Sequence, residues 1–379
     1  MECLPEGGAW KEALALYKAQ ADDLHAGRTP RMKKADEGPT LGDLCNRFLT
    51  AKLRQQTAGE ITPRMFNEYK GTTDLLVATF GKDRLIDDIA SDDFETLRDE
   101  MTKRWGPVRL GNEVQKVRTV FKYGYDAGLL DKPIRYGPQF KKPSASVLRR
   151  HRAKNGEKML EVAELRRILD ALDGKEMENG GTDEKTGEPT KVTMEPNPVL
   201  RAMVLLGVNC AFNNKDCADL PRTALDLDGG WIDFPRPKTG VSRRCPLWPE
   251  TVTALREAIA HRPKPRQDAA EGLVFVTARG RAWLSQGTAN PVSVTVRDLM
   301  KAVGVHHEGI GFATLRHVFR TIADGTRDQV AVNHIMGHWD PTMRAVYRER
   351  IEDTRLRAVA EHVRAWLFSP ATEKSQNDA

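Results

Sequence analysis

The sequence predicts a mainly α-helical protein of two domains, with one small antiparallel β-sheet confined to the second. Three observations predict this. From Thr40 to about 130, apolar residues recur at helical spacing in four successive blocks. From 225 to 247, turn signals at Asp228-Gly229-Gly230 and Lys238-Thr239-Gly240 separate short alternating runs, as in an antiparallel hairpin sheet. Between these regions, "DKPIRYGPQFKKPSASVLRRHRAKNGEK" is broken by prolines and rich in Lys and Arg. The expected organisation is a tail over 1–37, a helical domain over 38–135, a basic linker over 136–158, a second domain over 159–369 and a C-terminal tail over 370–379.

In the first domain, "TLGDLCNRFLTAKLRQQ" opens on a capping threonine, Thr40, and sets Leu41, Leu44, Cys45, Phe48 and Leu49 on one helical face. "TPRMFNEYKGTTDLLVATFG" starts at Thr62 with Pro63 in the first turn. "ASDDFETLRDEMTKRW" is read as capped by Ser91, with acids in its first turn, where the helix dipole favours them. "VRLGNEVQKVRTVFKYGYDAGLL" is a fourth helix with Lys and Arg on its polar positions. The second domain begins with helix "EVAELRRILDAL". The polar stretch "TDEKTGEPTKVTMEPN" follows as an exposed loop, and "PVLRAMVLLGVNCAF" is apolar enough to be central. "GLVFVTA" is a candidate further strand, and the chain from Thr295 to Phe368 reads as helical. An α-rich domain with one small sheet fits this order better than an alternating α/β fold.

Composition narrows the function classes. The 379 residues are 40% hydrophobic and 30% charged, which suits a soluble protein with real cores. Lys and Arg outnumber Asp and Glu by 59 to 53, with a sequence pI near 9.0, a modest lean toward polyanions. The five cysteines (Cys3, Cys45, Cys210, Cys217 and Cys245) are scattered, odd in number and without metal-ligand spacing. They argue for a reducing compartment and against a disulfide framework or a zinc site. No apolar run has the length of a membrane span, and no signal-peptide core is present, so the expected location is cytoplasmic and nucleoid-associated.

Two stretches carry candidate chemistry. "FATLRHVFRTIAD" puts Arg316, His317 and Arg320 on one helix, with the two arginines four apart on a shared face. Such a face is either solvated or a pair of planar donors for phosphate oxygens. "VNHIMGHWDPTMRAVYRERI" stops at Gly337, turns through Asp340-Pro341 and restarts toward Tyr347, leaving His338 at the helix end. Tyr347 is then a core aromatic or a nucleophile. Lys238, at the tip of the predicted hairpin in "PRPKTGVSRRCPLW", is an exposed turn lysine or a proton donor reaching into a DNA groove. A helix-turn-helix through Asp324-Gly325 is disfavoured, because "RDQVAVNHIMG" is short of base-reading side chains.

From about Thr40 to Phe368 the chain resembles the tyrosine recombinases of the phage integrase family. The resemblance rests on "LRHVFRT", "MGH", a tyrosine nine residues beyond that histidine, and "PKTG" followed by "CPL". It implies a helical core-binding domain and a catalytic domain clamping double-stranded DNA. It also implies attack by tyrosine on a phosphodiester, giving a 3′-phosphotyrosyl link and a free 5′-hydroxyl, with no cofactor and no metal. Phenol is a weak nucleophile at neutral pH, so the developing phosphorane charge must be held by prearranged donors. By the resemblance, Tyr347 is the nucleophile, Arg316 the second phosphate-binding arginine, His338 the later donor and Lys238 the general acid. Candidate DNA contacts are Arg320, Lys116, Arg118, Lys122, Arg149 and Arg150. A homotetramer on DNA and a monomer in solution are implied. Leu356, Val359, Val363, Trp366, Leu367 and Phe368 serve either core packing or docking into a neighbouring subunit. The short N-terminal segment is smaller than expected for an arm-site-binding domain.

Two positions depart from the family pattern. In "CAFNNKDCADL", Asn213 stands where the first arginine is expected, and Ala313 stands where a histidine usually precedes the "LRH" arginine. Losing one cationic donor at a phosphoryl centre costs roughly 10²–10³ in rate. Lys215, Arg243, Arg244, His306 and His307 are candidate substitutes, each with the alternative of being a surface residue. Two readings follow: a divergent working integrase, or a recombinase-derived DNA-binding protein with impaired catalysis.

Overall fold

A computed structural model describes residues 38–182, 189–283, 290–339 and 349–370, with isolated positions 14, 17, 18 and 21 before them. The chain divides into two compact units, Met1–Lys154 and Asn155–Ala379. Both are built mainly of helices, and the second carries short antiparallel sheets.

The first unit contains α1 (Leu41–Thr57), α2 (Pro63–Phe80), α3 (Ser91–Arg104), α4 (Pro107–Asp126) and α5 (Ala145–Lys154). Thr40 and Asp43 form a capping box: the Asp43 amide donates to Thr40 Oγ1 at 3.2 Å, and the Thr40 amide donates to Asp43 Oδ2 at 3.0 Å. Thr62 caps α2 through the Met65 amide, and Pro63 fills the first position, where an amide proton would go unused. The cap of α3 is not Ser91 but Ala90, one residue earlier. The Asp93 carboxylate takes the Ala90 amide at 2.8 Å, so Ser91 is already helical.

The apolar stripes meet in a core around Leu44, Phe48, Leu76, Phe94, Val117 and Phe121. Phe94 packs edge-on against Phe80, Phe121 and Tyr136, with centroids 4.9–5.6 Å apart. The segment read as linker is folded over much of its length. Tyr136 and Phe140 lie on this aromatic cluster, and residues 145–154 form the exposed helix α5. Its prolines and basic residues masked two aromatic anchors.

The second unit contains α6 (Val162–Leu172), a hairpin of β1 (Met177–Thr182) and β2 (Pro189–Val192), α7 (Pro198–Asn209) and α8 (Asn214–Ala218). The sheet of β3 (Leu225–Asp226), β4 (Trp231–Asp233) and β5 (Arg244–Pro246) follows, then α9 (Pro249–Ala260), α10 (Asp268–Glu271), α11 (Pro291–Ala302), α12 (Thr314–Ala323), α13 (Gln329–Met336) and α14 (Asp353–Phe368). The polar stretch over 182–197 is therefore not simply a loop. It contributes to an antiparallel pair in register Met177↔Val192 and Glu178↔Lys191. "GLVFVTA" makes only isolated bridges, Pro221↔Leu273 and Val276↔Ala282, rather than a strand of its own. Strands β3, β4 and β5 pair antiparallel in that order, with Ile232 opposite Leu225 and Cys245.

Helix α7 is buried over Ala202–Val208 on every face and packs against α9, α12, α6 and α14. Trp366 and Phe368 pack on this same core, Phe368 edge-on to Trp248 at 5.9 Å, so the α14 tail is bound to its own domain. Cys45, Cys210, Cys217 and Cys245 are free and buried, and burial pushes the Cys45 thiol up to about 12. Among the described residues no helix is long and apolar enough to cross a membrane. The expected turn at Asp340-Pro341, Tyr347, and most of both tails lie outside the described residues.

One close approach positions the site. A Cβ on Gly207 of α7 would sit 2.5 Å from Leu315 Cδ1 and 3.0 Å from Leu315 Cβ, so the glycine sets the spacing of α7 and α12 next to Arg316. Gly207→Ala gains about 1 kcal/mol of helix propensity but overpacks by about 1–3 kcal/mol. A net loss of stability is therefore expected, read as a lower midpoint in urea with an unchanged slope.

Candidate active site

The site is assembled from the ends of α7 and α13, the start of α8, the polar stripe of α12 and the hairpin arm beyond β4. Helix α12 buries Leu315, Val318 and Phe319 and turns Arg316 and Arg320 to the other face. Arg316 is gripped by main-chain carbonyls: its Nη1 donates to Ala211 O at 2.7 Å and its Nη2 to Met336 O at 2.6 Å. Ala211 supplies its carbonyl from a left-handed conformation, φ 53°, which a non-glycine residue seldom adopts.

Helix α13 ends at Gly337, φ 62°, with the His338 amide returning to Asn333 O at 2.9 Å. This turn sets His338 Nε2 2.9 Å from Arg316 Nη2. The imidazole accepts there, which places its proton on Nδ1. Burial, then Arg316, Arg236 and Arg320, pull His338 from 6.5 down to about 4. Burial, then Arg236, with Asp216 opposing and Arg243 adding to the effect, brings Arg316 down to about 10.

Beyond the β4–β5 ladder the hairpin continues through Phe234 N to Arg243 O, 3.2 Å, and Arg236 N to Val241 O, 2.8 Å. The tip closes with the Thr239 and Gly240 amides on Arg236 O, and Lys238 stands exposed there. Tyr347 lies outside the described residues, so the structure brings together Arg316 and His338, with Lys238 on the neighbouring arm.

The two positions read from the sequence as departures from the family pattern, Asn213 and Ala313, sit in different local settings. Asn213 is a helix cap: its Oδ1 accepts the amides of Lys215 at 2.8 Å and Asp216 at 3.0 Å. Ala313 is exposed and directly precedes α12. Of the candidate substitutes, Lys215 pairs with Asp219, and Arg244 pairs with Asp233 and Asp353 over the Trp231 ring. His307 pairs with Glu164 at 3.3 Å, and its neighbour His306 is half-buried.

Arg243 does reach this wall, but its side chain is only 1% exposed. Its Nε donates to Phe234 O at 2.7 Å, its Nη1 pairs with Asp216 at 3.2 Å, and its guanidinium lies 4.0 Å over the Phe212 ring. Among the residues considered for DNA contact, Arg320 is tied to Asp324 and Asn333, and Lys116 to Glu68 and Glu113. Arg118 is bonded to Phe140 O and stacked on Tyr136, and Lys122 pairs with Asp126. Arg149 and Arg150 are exposed on α5 without an ion pair among the described residues.

Sequence reasoning missed Arg236. Its Nη1 donates to Gly337 O at 3.4 Å, beside the Met336 carbonyl that holds Arg316. It has no carboxylate partner among the described residues, and its buried Nε has no hydrogen-bond partner there. The available signal was its position two residues before Lys238 on the same hairpin arm.

Residues 190–353 match the phage integrase family. Solved structures share the fold at low identity. A lambda integrase dimer bound to a COC′ core site aligns with TM-score 0.56 and 16% identity, covering 83% of this chain and 100% of that one. A Tn1549 transposon integrase in complex with a circular intermediate DNA aligns with TM-score 0.59 and 16% identity, covering 86% and 99%. A lambda integrase tetramer bound to a Holliday junction aligns with TM-score 0.55 and 16% identity, covering 90% and 88%. A search of curated proteins returned no match. The phage integrase match, residues 190–353, lies within the second unit, Asn155–Ala379.

Two outcomes test this electrostatic wall. Removing one partner of a buried ion pair strands the other, so Arg243→Met should lose about 3–5 kcal/mol. Arg243→Met with Asp216→Asn should lose less than the single change, by urea melts. His338 resists protonation in the folded chain, whereas the unfolded chain takes up a proton near pH 6.5. Its contribution to stability is therefore complete above 6.5 and is lost as pH falls toward about 4. An NMR titration of the His338 ring should place its midpoint well below 6.5.

Proposed function

We infer that the protein is a site-specific DNA recombinase that cuts and rejoins DNA through a transient 3′-phosphotyrosyl link formed by Tyr347. The observation that carries this reading is the Arg316–His338 pair. The two groups meet at 2.9 Å, at the Gly337 turn, in a domain of the phage integrase family. A phosphodiester entering there would meet a guanidinium fixed by two carbonyls and a neutral imidazole with a proton to donate.

The bond changes balance without a cofactor. Tyr347 Oη bonds to phosphorus as its phenolic proton passes to solvent water. The bond from phosphorus to the 5′-oxygen breaks, and Lys238 protonates the departing oxygen. Rejoining reverses these changes on a new 5′-hydroxyl. Because the phosphotyrosyl link conserves the bond, strand exchange needs no ATP. Arg316 and His338 stabilise the extra negative charge of the phosphorane more than that of the starting diester, which is where rate is gained.

Double-stranded DNA is the proposed partner. Its duplex phosphates would be contacted by exposed cations such as Arg149 and Arg150, with binding that weakens as salt rises. Joining two duplexes calls for four active sites, hence a homotetramer assembled on DNA from monomers.

The test mixes the full chain with sheared DNA of its source genome, quenches in SDS, and sequences fragments held on protein. Native protein is expected to retain a defined set of fragments, and Tyr347→Phe to retain none while binding DNA equally at low salt. Equal salt-sensitive binding with nothing surviving SDS in either protein would identify a DNA-binding remnant instead.

A further inference from the structure

We propose that Arg236 supplies, from the hairpin arm, the phosphate-binding guanidinium that Asn213 does not provide from the start of α8. This assignment rests on the recombinase reading above and deepens it by naming a third group at the same phosphate.

Most polar groups around the start of α8 are already committed. Asn213 turns its oxygen inward to cap α8, and its amide side chain carries no charge. Arg243 is linked to Asn213 through Asp216, but it is enclosed: its Nε and Nη1 are used by Phe234 O and Asp216, its Nη2 is buried without a partner among the described residues, and its face lies on Phe212. It therefore supports the wall from behind. Lys215 and Arg320 each have a carboxylate beside them.

Arg236 differs on three counts. It is half-buried rather than enclosed, so part of it is accessible to solvent. Its Nη1 reaches Gly337 O at 3.4 Å, while Arg316 Nη2 reaches the adjacent Met336 O, so the two guanidinia flank one turn. Of its five N–H donors, only that long contact is used among the described residues, and Nε is buried without a partner. Two like charges held beside one turn, neither with a carboxylate in contact among the described residues, disfavour the empty site. They favour it once a diester anion arrives with oxygens for both forks.

The backbone enforces the placement. A Cβ on Gly337 would stand 3.0 Å from Arg236 Cβ and 3.2 Å from Arg236 Cδ, so a side chain here would crowd the arginine, and the φ of 62° favours glycine as well. The pairing of Arg236 N with Val241 O, and of the Thr239 and Gly240 amides with Arg236 O, fixes its backbone at the base of the tip that carries Lys238.

The experiment compares native protein, Arg236→Ala, Arg236→Lys and Tyr347→Phe in two assays, with thermal melts as the folding control. The first is SDS-resistant capture of genomic DNA. Arg236→Ala is expected to lose roughly 10²–10³ of the covalent yield, with Arg236→Lys between the two and low-salt DNA binding within a few-fold of native. The second titrates inorganic phosphate while following the His338 ring by NMR. Phosphate is expected to shift that ring in native protein and in Tyr347→Phe, and to bind about tenfold more weakly to Arg236→Ala, as for the loss of one charged contact worth about 1.4 kcal/mol.

Covalent yield in Arg236→Ala equal to native would overturn the assignment and leave the recombinase reading standing. If no form captures DNA, that reading fails and the phosphate titration decides alone. A tenfold weakening in Arg236→Ala supports Arg236 as an anion ligand, and equal or absent phosphate binding overturns it.

Discussion

Asp216 and Arg243 form an ion pair in which both side chains are 1% exposed, and the wall of the site is tied together through it. One oxygen of Asp216 accepts both the Asn213 amide at 2.8 Å and Arg243 Nη1 at 3.2 Å. The carboxylate thus closes the cap of α8 and neutralises the strand cation at once. Arg243 in turn bonds the Phe234 carbonyl, which fixes the arm bearing Arg236 and Lys238. Asp216 also helps keep Arg316 ionised against burial. Three elements distant in sequence are therefore coupled through one negative charge. Such a pair adds little net stability over an apolar core of the same shape, yet its geometry is exacting. Its value here lies in where it places the groups around it.

Among the described residues, one carboxylate does not balance Arg243, Arg316 and Arg236. The remainder is met by backbone dipoles. Ala211 O follows the C-terminus of α7, and Met336 O and Gly337 O lie at the C-terminus of α13, where unpaired carbonyls concentrate partial negative charge. These carbonyls hold the guanidinia in place without titrating and without neutralising them. The cations are fixed but not satisfied, and that state suits an anion that must be held more tightly as its charge grows. The low proton affinity of His338 has the same origin, since burial and the surrounding arginines both disfavour a further positive charge.

Much of this was legible in the sequence, for identifiable reasons. Helix positions followed from apolar spacing and from Thr40, Thr62 and Pro63, because those signals are local. Arg316 and His338 were found because the helix and its Gly337 stop place them within one sequence neighbourhood. The hairpin tip was visible in Lys238-Thr239-Gly240. The parts that were not legible depend on pairings between distant residues. The β1–β2 pair hides in a polar stretch, since two short strands at a rim bury too little to show a pattern. Tyr136 and Phe140 were concealed by the basic residues around them. Neither the enclosure of Arg243 nor the approach of Arg236 to Gly337 could be read locally, because each depends on contacts across the second unit.

If Asn213 stands where the family pattern has an arginine, as the sequence reading expects, the site is built differently. An arginine at the start of α8 would be carried by a helix capped and buried from below, whereas Arg236 is carried by a two-stranded arm with Lys238 two residues away. A shift of that arm moves both groups together. With Arg236 as a phosphate ligand, the grip on the diester and delivery of the proton to the departing oxygen become properties of one hairpin. On that proposed reading, the position of Lys238 as general acid would follow from the same backbone contacts that place Arg236. Helix α8 gains in exchange a better cap, since an asparagine oxygen satisfies two amides that an arginine side chain, having only donors, would leave open.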